Sequence, residues 1–144
     1  MICVDQFLSY RYNIDDLTCD ERVVLMNQVG VIDESIANTL GIQNDAGKPI
    51  FIGQSNIAHM KNKHPGDFAK YGADIPAIIA SHDYVGVSKK DGSIEYVKEY
   101  VHNEDSVKVA VRISNSGTYY ARSLYVLNPR RVHNFITNGL LTKV

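Results

Sequence analysis

The chain has 144 residues, 44% of them hydrophobic and 22% charged, with a formal net charge of −1. That is length for one domain with its own core, in proportions ordinary for a soluble globular protein. No apolar run approaches the roughly 18 residues a membrane span needs, and no basic stretch followed by an apolar one opens the chain, so the expectation is a cytoplasmic protein with no membrane contact. Cys3 and Cys19 have no CxxC partner and no clustered histidine, and they read as free thiols of a reducing cytosol. The charge is uneven. Residues 1–47 carry two basic and eight acidic side chains, a net of −6, and residues 48–144 carry thirteen basic and eight acidic, a net of +5. A basic module behind an acidic leader fits polyanion binding, and it equally fits solvated faces of differing composition.

In chain order, Thr18 or Asp20 can cap a helix over residues 20–29 that stops at Gly30. Asp33 caps a second helix with Ile36, Ala37 and Leu40 on one face and Gly41 as its stop. Residues 44–47 make a turn, and residues 49–52 a short apolar strand. Ser55 or Asn56 can cap a helix through Lys63, which ends there because Pro65 disfavours helical geometry at His64. Asp74 caps a further helix with Pro76 in its first turn. Residues 82–88 lead into a turn carrying Asp91-Gly92. Three alternating segments follow, over residues 94–101, 107–113 and 119–127, joined by loops of hairpin length. A closing helix over residues 129–137 stops near Gly139. No repeat, low-complexity tract or long linker divides the chain.

This order predicts an α+β domain: N-terminal helices packed on one face of an antiparallel meander, then a C-terminal helix. Val107, Val109, Val111 and Ile113 form an apolar row for the helices, so Lys108, Ala110 and Arg112 point the other way. Arg122 sits between Tyr120 and Leu124, and its face is ambiguous.

The chemistry-bearing residues fall into two groups. In the segment 57–65, His59 and Lys63 are four apart and stack on one helix face, whereas His64 points elsewhere. The spacing of the two histidines is not the i,i+4 pattern with which a helix grips zinc, and no HExxH, P-loop, GxGxxG or GxSxG occurs, so neither a metal nor a nucleotide cofactor is expected. The second group lies on the strands: Lys98, Lys108, Arg112 and Arg122. RNA carries its own nucleophile, the 2′-hydroxyl, and its cleavage needs a base, an acid and cations around the phosphorane. Histidine suits the first two roles, and arginine can clamp a phosphate bidentately. Ser114, Ser116 and Thr118 are placed to donate to phosphate, and Tyr119, Tyr120 and Tyr125 to stack on bases or relay protons. Each residue also has a plainer reading. A lone helix histidine is ordinarily solvated, Arg112 suits a cross-strand pair with Glu95 or Glu99, and strand tyrosines ordinarily fill cores. His82, His102 and His133 take no role.

The ordered set Phe51-Ile-Gly-Gln-Ser-Asn-Ile-Ala-His-Met-Lys-Asn-Lys-His-Pro65, Ile75-Pro-Ala-Ile-Ile79, Asp83-Tyr-Val-Gly86, Asp91-Gly-Ser-Ile-Glu-Tyr-Val97, Ser116-Gly-Thr118 and Ala121-Arg-Ser-Leu-Tyr125 resembles one family. It is similar to the phage-associated branch of the Barnase–EndoU–Colicin–RelE-like nucleases, over roughly residues 29–140. The resemblance sets residues 1–28 apart as an extension and makes 29–144 the nuclease domain. It implies a curved sheet of about four strands, with metal-independent attack on RNA at the sheet or its edge. It also implies His59 as acid/base with His64 second, Arg112 and Arg122 as phosphate-stabilising residues, and Thr118 and Tyr125 as polar positions of the last hairpin. Lys63, Lys98, Lys108, Ser116 and Tyr119 complete the expected substrate contacts.

Three readings follow. The first is a bacterial or phage-encoded RNA endonuclease of toxin type, acting on tRNA or another structured RNA, with an immunity or antitoxin protein as partner and delivery to another cell as one route. The second is a catalytically silent relative that binds nucleic acid or protein through the same surface. The third is an interaction module whose acidic residues 1–47 contact a partner or guard the basic surface.

Overall fold

The computed structural model describes residues 28–143, and within them local chemistry fixes the helices. In α1 (Glu34–Leu40), the Asp33 carboxylate accepts from the Ile36 amide at 2.7 Å, and Gly41 ends the helix at φ 74. That left-handed conformation is one glycine adopts without strain. In α2 (Gln54–Lys63) the N-cap is Gly53, not Ser55 or Asn56; Asn56 instead reaches back from the first turn, its side-chain oxygen accepting from the Gly53 amide at 2.8 Å. Pro65 stops α2 as expected, leaving His64 at φ −140 and ψ 68. Its ring then opens a helix that the sequence pattern does not announce, α3 (Pro65–Tyr71), because a first-turn proline has no amide bond to lose. A 3-10 turn over Gly72–Asp74 leads to α4 (Ile75–Ala80); Asp74, expected as its cap, makes no side-chain cap bond and its carboxylate instead accepts from the Tyr100 hydroxyl at 3.2 Å. The last helix, α5 (Pro129–Thr137), is capped by Asn128, which accepts from the Arg131 amide at 3.0 Å.

The strands are β1 (Gln28–Val31), β2 (Pro49–Phe51), β3 (Tyr84–Val87), β4 (Ile94–Tyr100), β5 (Asp105–Ile113), β6 (Tyr119–Leu127) and β7 (Thr142–Lys143). They form one sheet in the order β1-β2-β6-β5-β4-β3-β7. The expected meander is β3 to β6, and it is antiparallel throughout. Short strands extend it at both ends, so the sheet has seven strands rather than about four; β2 joins β6 in parallel. Residues 28 and 29 belong to β1, which corrects the helix expected over 20–29; the rest of that helix, like both cysteines, lies outside the described residues.

The two faces differ as the alternation predicts except at Ile113, expected in the row that meets the helices but exposed at the end of β5, where it borders the same cleft as Arg112. Val107, Val109 and Val111 of β5 pack with Ile94 and Tyr96 of β4 and with Ile57, Met60, Phe68, Ile75, Ile78 and Ile79 of the helices in the main core. Lys108, Ala110 and Arg112 take the opposite face. Only part of that face is covered: Val132 and Phe135 of α5 pack there with Val97, Leu127 and Leu141. The expected covering of one face by helices holds for α1 to α4, and α5 lies across the other.

Candidate active site

β2 pairs with β6 only through Ile50↔Tyr119 and Phe51↔Tyr120, so the rest of that edge of β6 has no strand partner. α2 and α3 run along it instead. The Asp67 carboxylate accepts from the exposed-edge amide of Val126 at 3.0 Å, satisfying a donor the sheet leaves open. The two ends of α2 therefore border the open face of the sheet, each beside a different cluster.

At its N-terminal end α2 faces a cleft of about 400 Å³, lined by Gly53, Ser55, Asn56, Arg112, Ile113, Ser114, Tyr120 and Arg122. A bulge creates the arginine pair. Ala110 pairs with Ser123 and Val111 with Ala121, so Arg122 is the extra residue, turned toward the same cleft as Arg112. Arg112 itself stands opposite Tyr120 in register. Both arginines are exposed, and among the described residues neither makes a salt bridge or a hydrogen bond. The amides at the start of α2 lack intrahelical acceptors, and the helix dipole adds positive potential there. Two unpaired guanidinium groups and a helix N-terminus thus converge on one space, an arrangement suited to a phosphate.

His59 is exposed on α2. At about 100° per residue it falls between Ser55 and Asn56 in azimuth, as does Lys63 one turn later. His59 and Lys63 thus share the side of the helix that carries Ser55, one and two turns on, and neither lines the cleft itself, while Ile57 and Met60 turn into the core.

His64 joins the second cluster. Its ring stacks on Tyr125 at 5.0 Å, and its Nδ1 lies 4.0 Å from Asp67. Lys108 lies 4.7 Å from the centroid of Tyr125 and 5.9 Å from that of Phe135, and it is ion-paired with Glu95. At 6% exposure this lysine is committed to the protein. Glu95, a candidate partner for Arg112 by sequence, pairs with Lys108 instead.

Other expected residues separate from the cleft. Lys98 pairs across the ladder with Val107, and so takes the helix-covered side, where its ammonium donates to the Ser81 carbonyl at 3.1 Å. Tyr119 is 5% exposed and donates to Asp45; burial first, then that hydrogen bond, push its hydroxyl up to about 12. Lys98 and Tyr119 therefore do not line the cleft. Ser116 and Thr118 stay in the β5–β6 hairpin, where Ser114 ties to both: its hydroxyl is 2.9 Å from that of Ser116 and accepts from the Thr118 amide at 3.2 Å. Ser114 and Tyr120 line the cleft as their expected roles require, and Ser55 and Asn56, read only as helix caps, line it as well. The i,i+4 relation to His59 was the signal for Ser55.

The phage-Barnase-EndoU-ColicinE5/D-RelE like nuclease 3 family matches residues 27–134. The chain belongs to this nuclease family. Its match spans β1 through most of α5, and so takes in the whole of the cleft and, apart from Phe135, the second cluster. No curated protein matches the chain.

Proposed function

We propose that this nuclease cuts RNA at the Arg112–Arg122 cleft by attack of the substrate's own 2′-hydroxyl on the adjacent phosphorus. The O2′–P bond forms as the P–O5′ bond breaks, giving a 2′,3′-cyclic phosphate and a 5′-hydroxyl. His59 takes the proton from O2′ and returns one to O5′, and the two arginines neutralise the charge that builds on the phosphorane. The observation that carries the reading is the pair of unpaired arginines converging with the start of α2, one helical turn from His59. A toxin role toward tRNA or another structured RNA, countered by an immunity protein that covers the cleft, accords with an exposed site of this kind.

The test is cleavage of a mixed RNA pool by purified protein, with and without EDTA. His59→Ala and Arg112→Ala are each expected to lower the rate by on the order of 10²-fold or more while leaving the melting temperature near wild type. The products should end in cyclic phosphate, and a 2′-deoxy residue at the cut site should block the reaction. RNA left intact by wild type under both conditions overturns the proposal, and RNA retained but uncut identifies the silent binding module instead. Loss of activity in His64→Ala, with His59→Ala unaffected, moves the acid/base role to His64.

A further inference from the structure

The positive surface does not end at Arg112. Ile94 of β4 pairs with Val111, so Arg112 lies one residue past the paired end of β4, beside the turn that joins β3 to β4. That turn is held by its own bonds: the Ser88 amide donates to the Ser93 carbonyl at 2.8 Å, the Gly92 amide to the Ser88 carbonyl at 2.9 Å, and the Ser93 amide to the Asp91 carboxylate at 3.0 Å. The bonds from Ser93 hold the Asp91 carboxyl below its usual range, and the positive charge of Arg112 adds to this, as expected of near neighbours. Asp91 is thus occupied within the turn. Lys89 and Lys90 are exposed, and among the described residues their ammonium groups make no salt bridge or hydrogen bond. Crossing the strands, the cations run from Arg122 on β6 to Arg112 on β5 and on to Lys89 and Lys90 in the turn before β4. Tyr120 stands opposite Arg112 and two residues before Arg122, half-buried, with Phe51 beside it on β2 at 6.4 Å between ring centroids.

We infer that this row is a track for one RNA strand crossing the sheet, with the cleaved phosphate at the arginine pair and a flanking phosphate on the Lys89–Lys90 turn. The inference rests on the proposed ribonuclease activity and extends it to substrate length and form. Arg122 and β4 are two strand spacings apart, about 10 Å, so the turn meets a phosphate other than the one being cut. A basic groove with a supported aromatic ring along it is the form that holds single strands, whose unstacked bases have a free face for Tyr120.

The experiment compares a single-stranded RNA oligomer with a dinucleotide as substrates for wild type, the double variant Lys89→Ala/Lys90→Ala, and Lys143→Ala on the far edge strand β7. Binding of an uncleavable 2′-O-methyl oligomer is followed against salt. The double variant is expected to lower kcat/KM on the oligomer several times more than on the dinucleotide. Its salt slope for binding should fall by about 0.7 for each phosphate it no longer neutralises, and Lys143→Ala should do neither. Equal effects on the two substrates, an unchanged salt slope, or the same loss in Lys143→Ala overturns the track while leaving the ribonuclease reading in place. A duplex cut as well as a single strand also overturns it. Wild type that neither binds nor cuts RNA overturns both.

Discussion

Neighbouring residues of like type have opposite fates here, and the difference lies in what each meets across the sheet. Tyr120 lines the cleft, whereas Tyr119, one position earlier, is turned into the core and bonded to Asp45. Lys108 and Arg112 share a strand and a face, yet Glu95 and α5 enclose the first and leave the second in solvent. Alternation made the shared face legible, but the partner depends on register and on a distant helix. Arg122 is the sharper case, because the bulge that turns it into the cleft has no glycine or proline to announce it. The Tyr119–Asp45 bond also yields a pH prediction. Its hydroxyl bond, then Lys48, hold the Asp45 carboxyl below its ordinary 3.8, so the stability it confers is complete above that value and is lost as pH falls through the lowered one. Tyr119 is raised from 10.0 to about 12, so its share is complete below pH 10 and is lost as pH rises through about 12. Tyr119→Phe should therefore be less stable than wild type at neutral pH, and the deficit should shrink toward both extremes. Urea midpoints at about pH 3, 7 and 11 measure this; a deficit constant across the range refutes the linkage.

At the scale of elements, Asp33, Gly41 and Pro65 were legible because each acts within a few residues of the helix end it marks. The bonds that close the starts of α2 and α5, at Gly53 and Asn128, are as local but were not marked by the pattern, and Asp74 makes no cap bond. Long-range elements were not legible: β1 and β7 are short strands whose pairing comes only from partners far along the chain. The seat of α5 belongs to this class. A Cβ on Gly86 would run into the Leu140 carbonyl oxygen, with its carbon at 3.0 Å and Leu141 Cδ2 at 3.2 Å. The obstruction is backbone and cannot rotate away. Gly86→Ala should therefore push the segment after α5 off β3 and cost about 1–3 kcal/mol, the usual range for overpacking. Hydrogen exchange is expected to show reduced protection over residues 129–143 with β5 and β6 still protected, because the main core lies on the other face. Uniform loss across the sheet would show that β3, not α5, had given way. RNA cleavage should survive a selective release of α5, since the arginine cleft lies toward the other end of β5.

For the molecule as a whole, net charge and local charge give different expectations of how substrate is captured. The chain is at −1, and residues 28–144 hold thirteen basic and eleven acidic side chains, so there is little overall field to draw RNA from a distance. At physiological salt, charges beyond about 8 Å are largely screened, which leaves capture to the cations that touch the strand. The cleft and its flanks supply Arg112, Arg122, Lys63, Lys89 and Lys90, while Lys108 and Lys98 are engaged within the protein. If between about two and five phosphates are neutralised, at about 0.7 each for a single strand, the slope of log kcat/KM against log salt lies between about −1.4 and −3.5. A slope near zero would mean that the arginines do not hold phosphate. A slope steeper than about −5 would demand more cations than the cleft offers and would extend the bound strand to Arg130 and Arg131 of α5. Titrating the cleavage rate with a monovalent salt separates the three outcomes, and Arg112→Ala with Arg122→Ala should flatten the line by about 1.4 if both act as assigned.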